Sequence, residues 1–99
     1  MTLFQLLQTL NIPCAYSHFK NAQTPPYIVY IGNGQTTFKA DDTYYYKYNN
    51  YQVEYYFETK STTTEESIET LLLSNGYRYE KSEDIYLDDQ DVFLIYYYV

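Results

Sequence analysis

Tyr51-Gln52-Val53-Glu54-Tyr55-Tyr56-Phe57 runs through Glu58-Thr59-Lys60 into Ser61-Thr62-Thr63-Thr64-Glu65-Glu66-Ser67-Ile68-Glu69-Thr70-Leu71-Leu72-Leu73-Ser74-Asn75-Gly76, and its period changes halfway along. Tyr51, Val53, Tyr55 and Phe57 alternate with Gln52, Glu54, Tyr56 and Glu58, the two-residue period of a strand with one buried face. After Lys60, Thr62 and Glu65 have the spacing of a capping box, and Glu65 and Glu66 suit the positive end of a helix. Ile68, Leu71 and Leu72 recur at helical spacing, and Asn75-Gly76 supplies a left-handed stop. The spacing predicts a strand, a short polar link, a helix over residues 63–74 laid across a sheet, and a further strand from Tyr77.

Working outward, Thr2 caps a first helix in which Leu3, Leu6, Leu7 and Leu10 share a side with Phe4 beside them, and Asn11-Ile12-Pro13 ends it. Cys14 to Phe19 reads as a short strand, followed by a polar loop through Pro25-Pro26. Tyr27-Ile28-Val29-Tyr30-Ile31 is the best interior strand, apolar on both faces and expected to be covered on both. Gly32-Asn33-Gly34 is expected to turn the chain into a strand over residues 35–40, giving a hairpin. Tyr44 to Tyr48 either begins the long strand early or forms an extended arm, and Asn49-Asn50 permits a bulge or bend. Beyond the second helix, residues 77–81 alternate, residues 82–91 are acidic and irregular with Ile85 and Leu87 as anchors, and Val92 to Tyr98 forms a closing strand. The fold class is therefore α+β, a mostly antiparallel sheet packed against two helices in the order α-β-β-β-β-α-β-β. Its 99 residues (1–99) leave room for one domain.

Composition narrows function. The net charge is −7, so the chain lacks the basic footprint of a nucleic-acid binder and is not drawn to an anionic membrane. No apolar run approaches the about 18 residues that a membrane-spanning helix needs. The N-terminus has no basic region of a signal peptide, and a lone cysteine, Cys14, fits a reducing compartment; a cytosolic protein is expected. Sixteen Tyr and five Phe supply either core or interface contact area.

No catalytic constellation emerges. Cys14 and His18 share a face only on a helix, and their segment reads as a strand, so a thiol–imidazole nucleophile is not expected. One Cys and one His do not fill a zinc shell. Asp88-Asp89-Gln90-Asp91 lacks the glycine and distal glutamate of a calcium loop. Gly32-Asn33-Gly34 is followed by a strand-like run, unlike a phosphate loop. No enzyme activity, metal or cofactor is expected.

The Pro26-Tyr27-Ile28-Val29-Tyr30 strand, Val53-Glu54-Tyr55-Tyr56-Phe57, the helix over 63–74 and Asn75-Gly76-Tyr77, in this order behind an N-terminal helix, resemble small head–tail joining proteins of tailed phages. The likeness is to the tail-terminator or tail-completion type found in prophages of low-GC Gram-positive bacteria. It implies a non-enzymatic subunit that assembles with itself, as a ring and usually a hexamer, caps the tail tube and meets the head connector. It also implies a place in the host cytoplasm during assembly and then at the head–tail junction of the virion. On this resemblance, Tyr44, Tyr45, Tyr46 and Tyr48, with the exposed edge of a strand carrying Tyr96, Tyr97 and Tyr98, are the candidate subunit contacts. Asp41, Asp42, Glu83, Asp84, Asp88, Asp89 and Asp91 are candidates for an acidic lumen that repels passing DNA, or for solvated loops. The alternative is an acidic DNA mimic that inhibits a host nuclease or DNA-binding protein; the gathering of carboxylates in turns, among aromatics, counts against it.

Overall fold

A computed structural model describes residues 1–39 and 45–99. Helix α1 (Leu3–Gln8) starts with a full capping box: Gln5 N–H donates to Thr2 Oγ1 and Thr2 N–H to Gln5 Oε1. It is shorter than the leucine spacing suggests, because the chain has left helical angles by Asn11, whose φ is 58°. Then come β1 (Cys14–Tyr16), β2 (Tyr27–Lys39), β3 (Tyr45–Phe57), α2 (Thr62–Ser74), β4 (Glu80–Lys81), β5 (Ile85–Leu87) and β6 (Val92–Tyr98). The class is α+β, as expected. The order is α-β-β-β-α-β-β-β rather than α-β-β-β-β-α-β-β, for two local reasons.

First, Gly32-Asn33-Gly34 does not turn. Strand β2 runs straight through it, and the register slips by one residue between Gly32↔Tyr51 and Gln35↔Asn49. Gly34, at φ 79°, absorbs the extra residue as a bulge, so two expected strands are one. Second, the acidic stretch after α2 is not wholly irregular. Short β4 and β5 each add to the outer side of β6, with Ile85 opposite Leu94 and Leu87 opposite Val92.

The sheet order is β1-β2-β3-β6, with β4 and β5 beyond; among the described strands only the β1–β2 pair is parallel. Both helices lie on one face. Ile28, Val53, Tyr55, Phe57, Ile95 and Tyr97 point there and meet Leu3 and Leu7 of α1 and Ile68 and Leu72 of α2 in one core. Full burial of Ile68 and Leu72 is worth about 1.5–3 kcal/mol each, which holds a helix whose own propensity, with threonine in its first turn, is modest. The N-cap of α2 is Ser61, one residue earlier than the capping-box spacing predicts; its Oγ accepts from Thr64 N–H. At the other end Gly76, at φ 85°, completes a Schellman stop: Tyr77 N–H donates to Leu72 O and Gly76 N–H to Leu73 O.

The opposite face carries Tyr27, Val29, Gln52, Glu54, Tyr56, Leu94 and Tyr96, and no described helix covers it. Strand β2 is thus not sheltered on both sides by helices. Instead Phe19 packs edge-on against Tyr27, which stacks at 4.7 Å on Tyr56, and Val29 on this face is buried.

Candidate functional site

Among the described residues, strand pairing leaves one two-stranded part of the sheet with no further strand beside it. Strand β1 reaches β2 only as far as Tyr30, and β6 reaches β3 only as far as Gln52, with Tyr51 and Val99 exchanging both main-chain bonds at 2.9 Å. Beyond these limits Gln35–Lys39 and Tyr45–Asn49 pair only with each other among the described residues, as a two-stranded arm. The molecule is accordingly elongated, 51 × 25 × 25 Å. Polar side chains tie the arm's base: Gln35 Nε2 donates to Asn49 Oδ1 at 2.9 Å and Asn50 Nδ2 to Thr36 Oγ1 at 2.8 Å.

Main-chain alternation fixes what the arm offers. Tyr51 turns its N–H and C=O to Val99, so Asn49 and Lys47, two and four residues earlier, turn theirs to the same side. No described strand meets them there. This open edge borders a concavity of about 870 Å³ where the arm leaves the body, walled by Tyr48, Asn50, Tyr77, Arg78, Tyr79 and Tyr98. Tyr48 is 56% exposed.

Of the expected subunit contacts, Tyr45, Tyr46 and Tyr48 lie on this arm, and Tyr44 lies outside the described residues. The early start of β3 settles the alternatives for residues 45–48: they extend the long strand, and that extension is the arm. The expected exposed edge at Tyr96–Tyr98 is corrected. Strand β6 is interior, with β3 on one side and β4 and β5 on the other, so its main chain is already paired. Tyr97 is fully buried under α2, where its hydroxyl donates to Glu69 Oε2 at 2.8 Å; Tyr96 is half-buried and stacks on the partly exposed Tyr98.

The acidic residues do not converge. Asp41 and Asp42 lie outside the described residues. Asp84 pairs with Lys60 at 2.9 Å, and Asp91 Oδ1 accepts from the Tyr86 hydroxyl at 2.6 Å. Glu83, Asp88 and Asp89 are exposed. Among the described residues no group of three or more carboxylate, histidine or cysteine side chains is arranged to hold a metal.

The densest charge cluster is one that the capping-box spacing misassigns. Glu65 does not reach back to cap α2; it is 2% exposed beneath it and meets Lys81 Nζ through Oε1 and Lys60 Nζ through Oε2, each at 2.8 Å. The Lys60 contact is a charge contact outside hydrogen-bonding angles, so Oε2 is ion-paired without accepting a hydrogen bond. Lys81 also meets Glu69 at 2.9 Å. Burial alone would lower the Lys81 pKa, but hydrogen bonds to Glu65 and Glu69 outweigh it and hold the ammonium well above its ordinary value. With both carboxylates neutralised, the cluster fastens α2 to β4 and holds no free acid or base.

Nucleophilic chemistry at Cys14 finds no support either. Burial raises its pKa to about 11, and His18 is exposed with Nδ1 against Ser17 Oγ at 3.2 Å. No described helix is long and apolar enough to cross a membrane. Comparison of the chain with protein-family models, with curated proteins and with solved structures returned no match.

Proposed function

We propose that this chain is a non-enzymatic assembly protein of the tail-terminator type, whose subunits associate, cap a phage tail tube and present a face to the head connector. The observation that carries the assembly reading is the arm, a paired ribbon whose outer main-chain edges meet no described strand, reaching beyond the α+β body. Such a ribbon joins subunits by strand addition, which needs no pocket or charged ligand. The resemblance of the chain to phage head–tail joining proteins supplies the rest: tail tube and connector as partners, the host cytoplasm and the virion as locations. The DNA-mimic alternative draws less support, because Asp84, Asp91, Glu65 and Glu69 are engaged by Lys60, Tyr86 and Lys81 rather than arrayed on one open face.

The test uses tail tubes polymerised from the tube protein of the phage whose genome encodes this chain. Added protein is expected at one tube end by negative-stain electron microscopy, with elongation arrested. Tubes that bind none of it and grow to unchanged length overturn the reading.

A further inference from the structure

Strand β3 offers an edge that a second copy of this chain can complete. The outward N–H and C=O groups of Lys47 and Asn49 continue the line along which β6 pairs with β3. An added strand therefore takes the place of β6 in the sheet, above the wall formed by Tyr77, Arg78 and Tyr79.

Two features identify the occupant. One is charge. Between residues 21 and 53 Lys39 and Lys47 offset Asp41 and Asp42, so the whole net charge of −7 falls on the rest of the chain. Two bodies repel each other, whereas a neutral arm enters the concavity of another copy without that cost. The other is space. A copy whose arm pointed the same way would lay its body over β6, β4 and β5, which continue directly below the open edge. A copy pointing the opposite way keeps its body beyond the first copy's arm and sends its own arm down into the concavity. In that orientation the two β3 edges run antiparallel, the favoured ladder, and every contact occurs twice about a two-fold axis.

We propose that free subunits pair through their β3 edges as an arm-exchanged dimer, each arm filling the concavity at the base of the other. The pairing builds a four-stranded ribbon from two arms and covers edges that otherwise invite aggregation. It rests on reading the arm as an assembly element and not on the tail tube.

The test exploits the direction of single amides. Asn49→Pro removes an N–H that points away from β2, so the hairpin ladder keeps its main-chain bonds, and proline is tolerated on such an edge. The Gln35–Asn49 side-chain bond that it also removes is lost equally in Asn49→Ala, the control that keeps the N–H. Light scattering across concentration is expected to show a dimer for the natural chain and an at least about tenfold weaker one for Asn49→Pro, since the two-fold axis doubles the loss. Amide exchange at Lys47 and Asn49 in the unsubstituted protein is expected to slow as concentration rises, while that of Val53, already inside the sheet, stays unchanged. The proposal is overturned by a monomer at every concentration. It is equally overturned by a dimer that Asn49→Pro leaves intact, or by Lys47 and Asn49 amides whose exchange ignores concentration. Any of these can occur with tube-end binding retained, which separates this proposal from the tail-terminator reading.

Discussion

Glu65 Oε1 accepts a hydrogen bond from Lys81 Nζ at 2.8 Å, joining the first turn of α2 to the edge strand β4 across sixteen residues of chain. The carboxylate is almost wholly shielded from water, so its charge is tolerated only because Lys81 and Lys60 flank it. Lys81→Met is expected to cost about 2 kcal/mol in urea unfolding. That is below the ~3–5 kcal/mol of a fully buried pair, because the Lys81 side chain is 34% exposed and Lys60 stays in place. The double variant Glu65→Met, Lys81→Met is expected to be less destabilised than the sum of the single ones, since it removes the orphaned charge. Additive losses would show that the two groups do not act as a pair.

The same cluster sets the pH range of stability. Burial pushes the Glu69 carboxyl upward, but Lys81 and the Tyr97 hydroxyl outweigh it and hold the pKa below its ordinary 4.5. A depressed folded-state value means that the stabilisation is present above 4.5 and is lost as the pH falls through that value and then through the lower folded one. Tyr97 is shifted the other way, raised from 10.0 first by burial and then by its bond to Glu69. Its contribution is present below pH 10 and is lost as the pH rises beyond it. Urea midpoints are expected to be flat between about pH 5 and pH 8.5 and to fall on both sides, on the alkaline side through Cys14, raised from 9.0, and then Tyr97. Glu69→Gln is expected to shallow the acid fall, and an unchanged acid limb in that variant would remove Glu69 as its source.

The tyrosines divide into two energetic classes. Tyr97 is fully buried, stands edge-on to Tyr79 at 5.6 Å and bonds Glu69, so Tyr97→Ala is expected to cost about 4 kcal/mol. Tyr97→Phe keeps the ring and loses only the hydroxyl, for about 1 kcal/mol. Tyr48→Ala, on the arm, is expected to change stability by less than about 0.5 kcal/mol. Denaturant titration of the three variants checks the ranking. At concentrations that keep the chain monomeric, a Tyr48→Ala loss comparable with that of Tyr97→Ala would mean that the arm belongs to the core.

Cys14 provides a check on burial that needs no substitution. With its thiol raised to about 11, the thiolate fraction at neutral pH is about a hundredfold below that of a thiol at the ordinary 9.0. Its reaction with a disulfide reagent is expected to climb about tenfold per pH unit through pH 9 without levelling. A plateau below pH 9 would contradict a desolvated site.

Where each side chain's period was unambiguous, the fold was legible. Val53, Tyr55 and Phe57 announce a one-sided strand and turn out to face the helices; Ile68 and Leu72 announce the buried stripe of α2. Tyr96-Tyr97-Tyr98 carries no such alternation, because three identical residues leave both faces alike. Only the register, with Tyr97 opposite Val53, decides which ring enters the core. The interior position of that strand was equally invisible, since it depends on two short strands, β4 and β5, that form by adding to it. The arm was half legible: Tyr44–Tyr48 suggested an extension, but its open edge follows from where β6 stops pairing, a tertiary fact. Glu65 was misplaced because its spacing from Thr62 fits a cap, while burial against Lys81 depends on a strand sixteen residues later.

Gly34 shows the same ambiguity in a form that a single substitution can test. A glycine with positive φ serves a hairpin turn and a bulge equally well, and only the partner strand distinguishes them. Here β3 continues opposite β2 on both sides of Gly34, so the residue bends the ribbon at the arm's root instead of reversing it. An added Cβ at Gly34 meets nothing within 4 Å, so Gly34→Ala is opposed by backbone strain alone, at φ 79°. The expected cost is about 1 kcal/mol. Because the strain is relieved if the bulge moves or closes, that variant is also expected to shift the register of the arm and weaken the Gln35–Asn49 side-chain bond. Chemical-shift changes confined to residues 32–37 and 47–51, with the α2 signals unmoved, are the expected signature. Changes spreading into Ile68 and Leu72 would show that the bulge supports the body as well as aiming the arm.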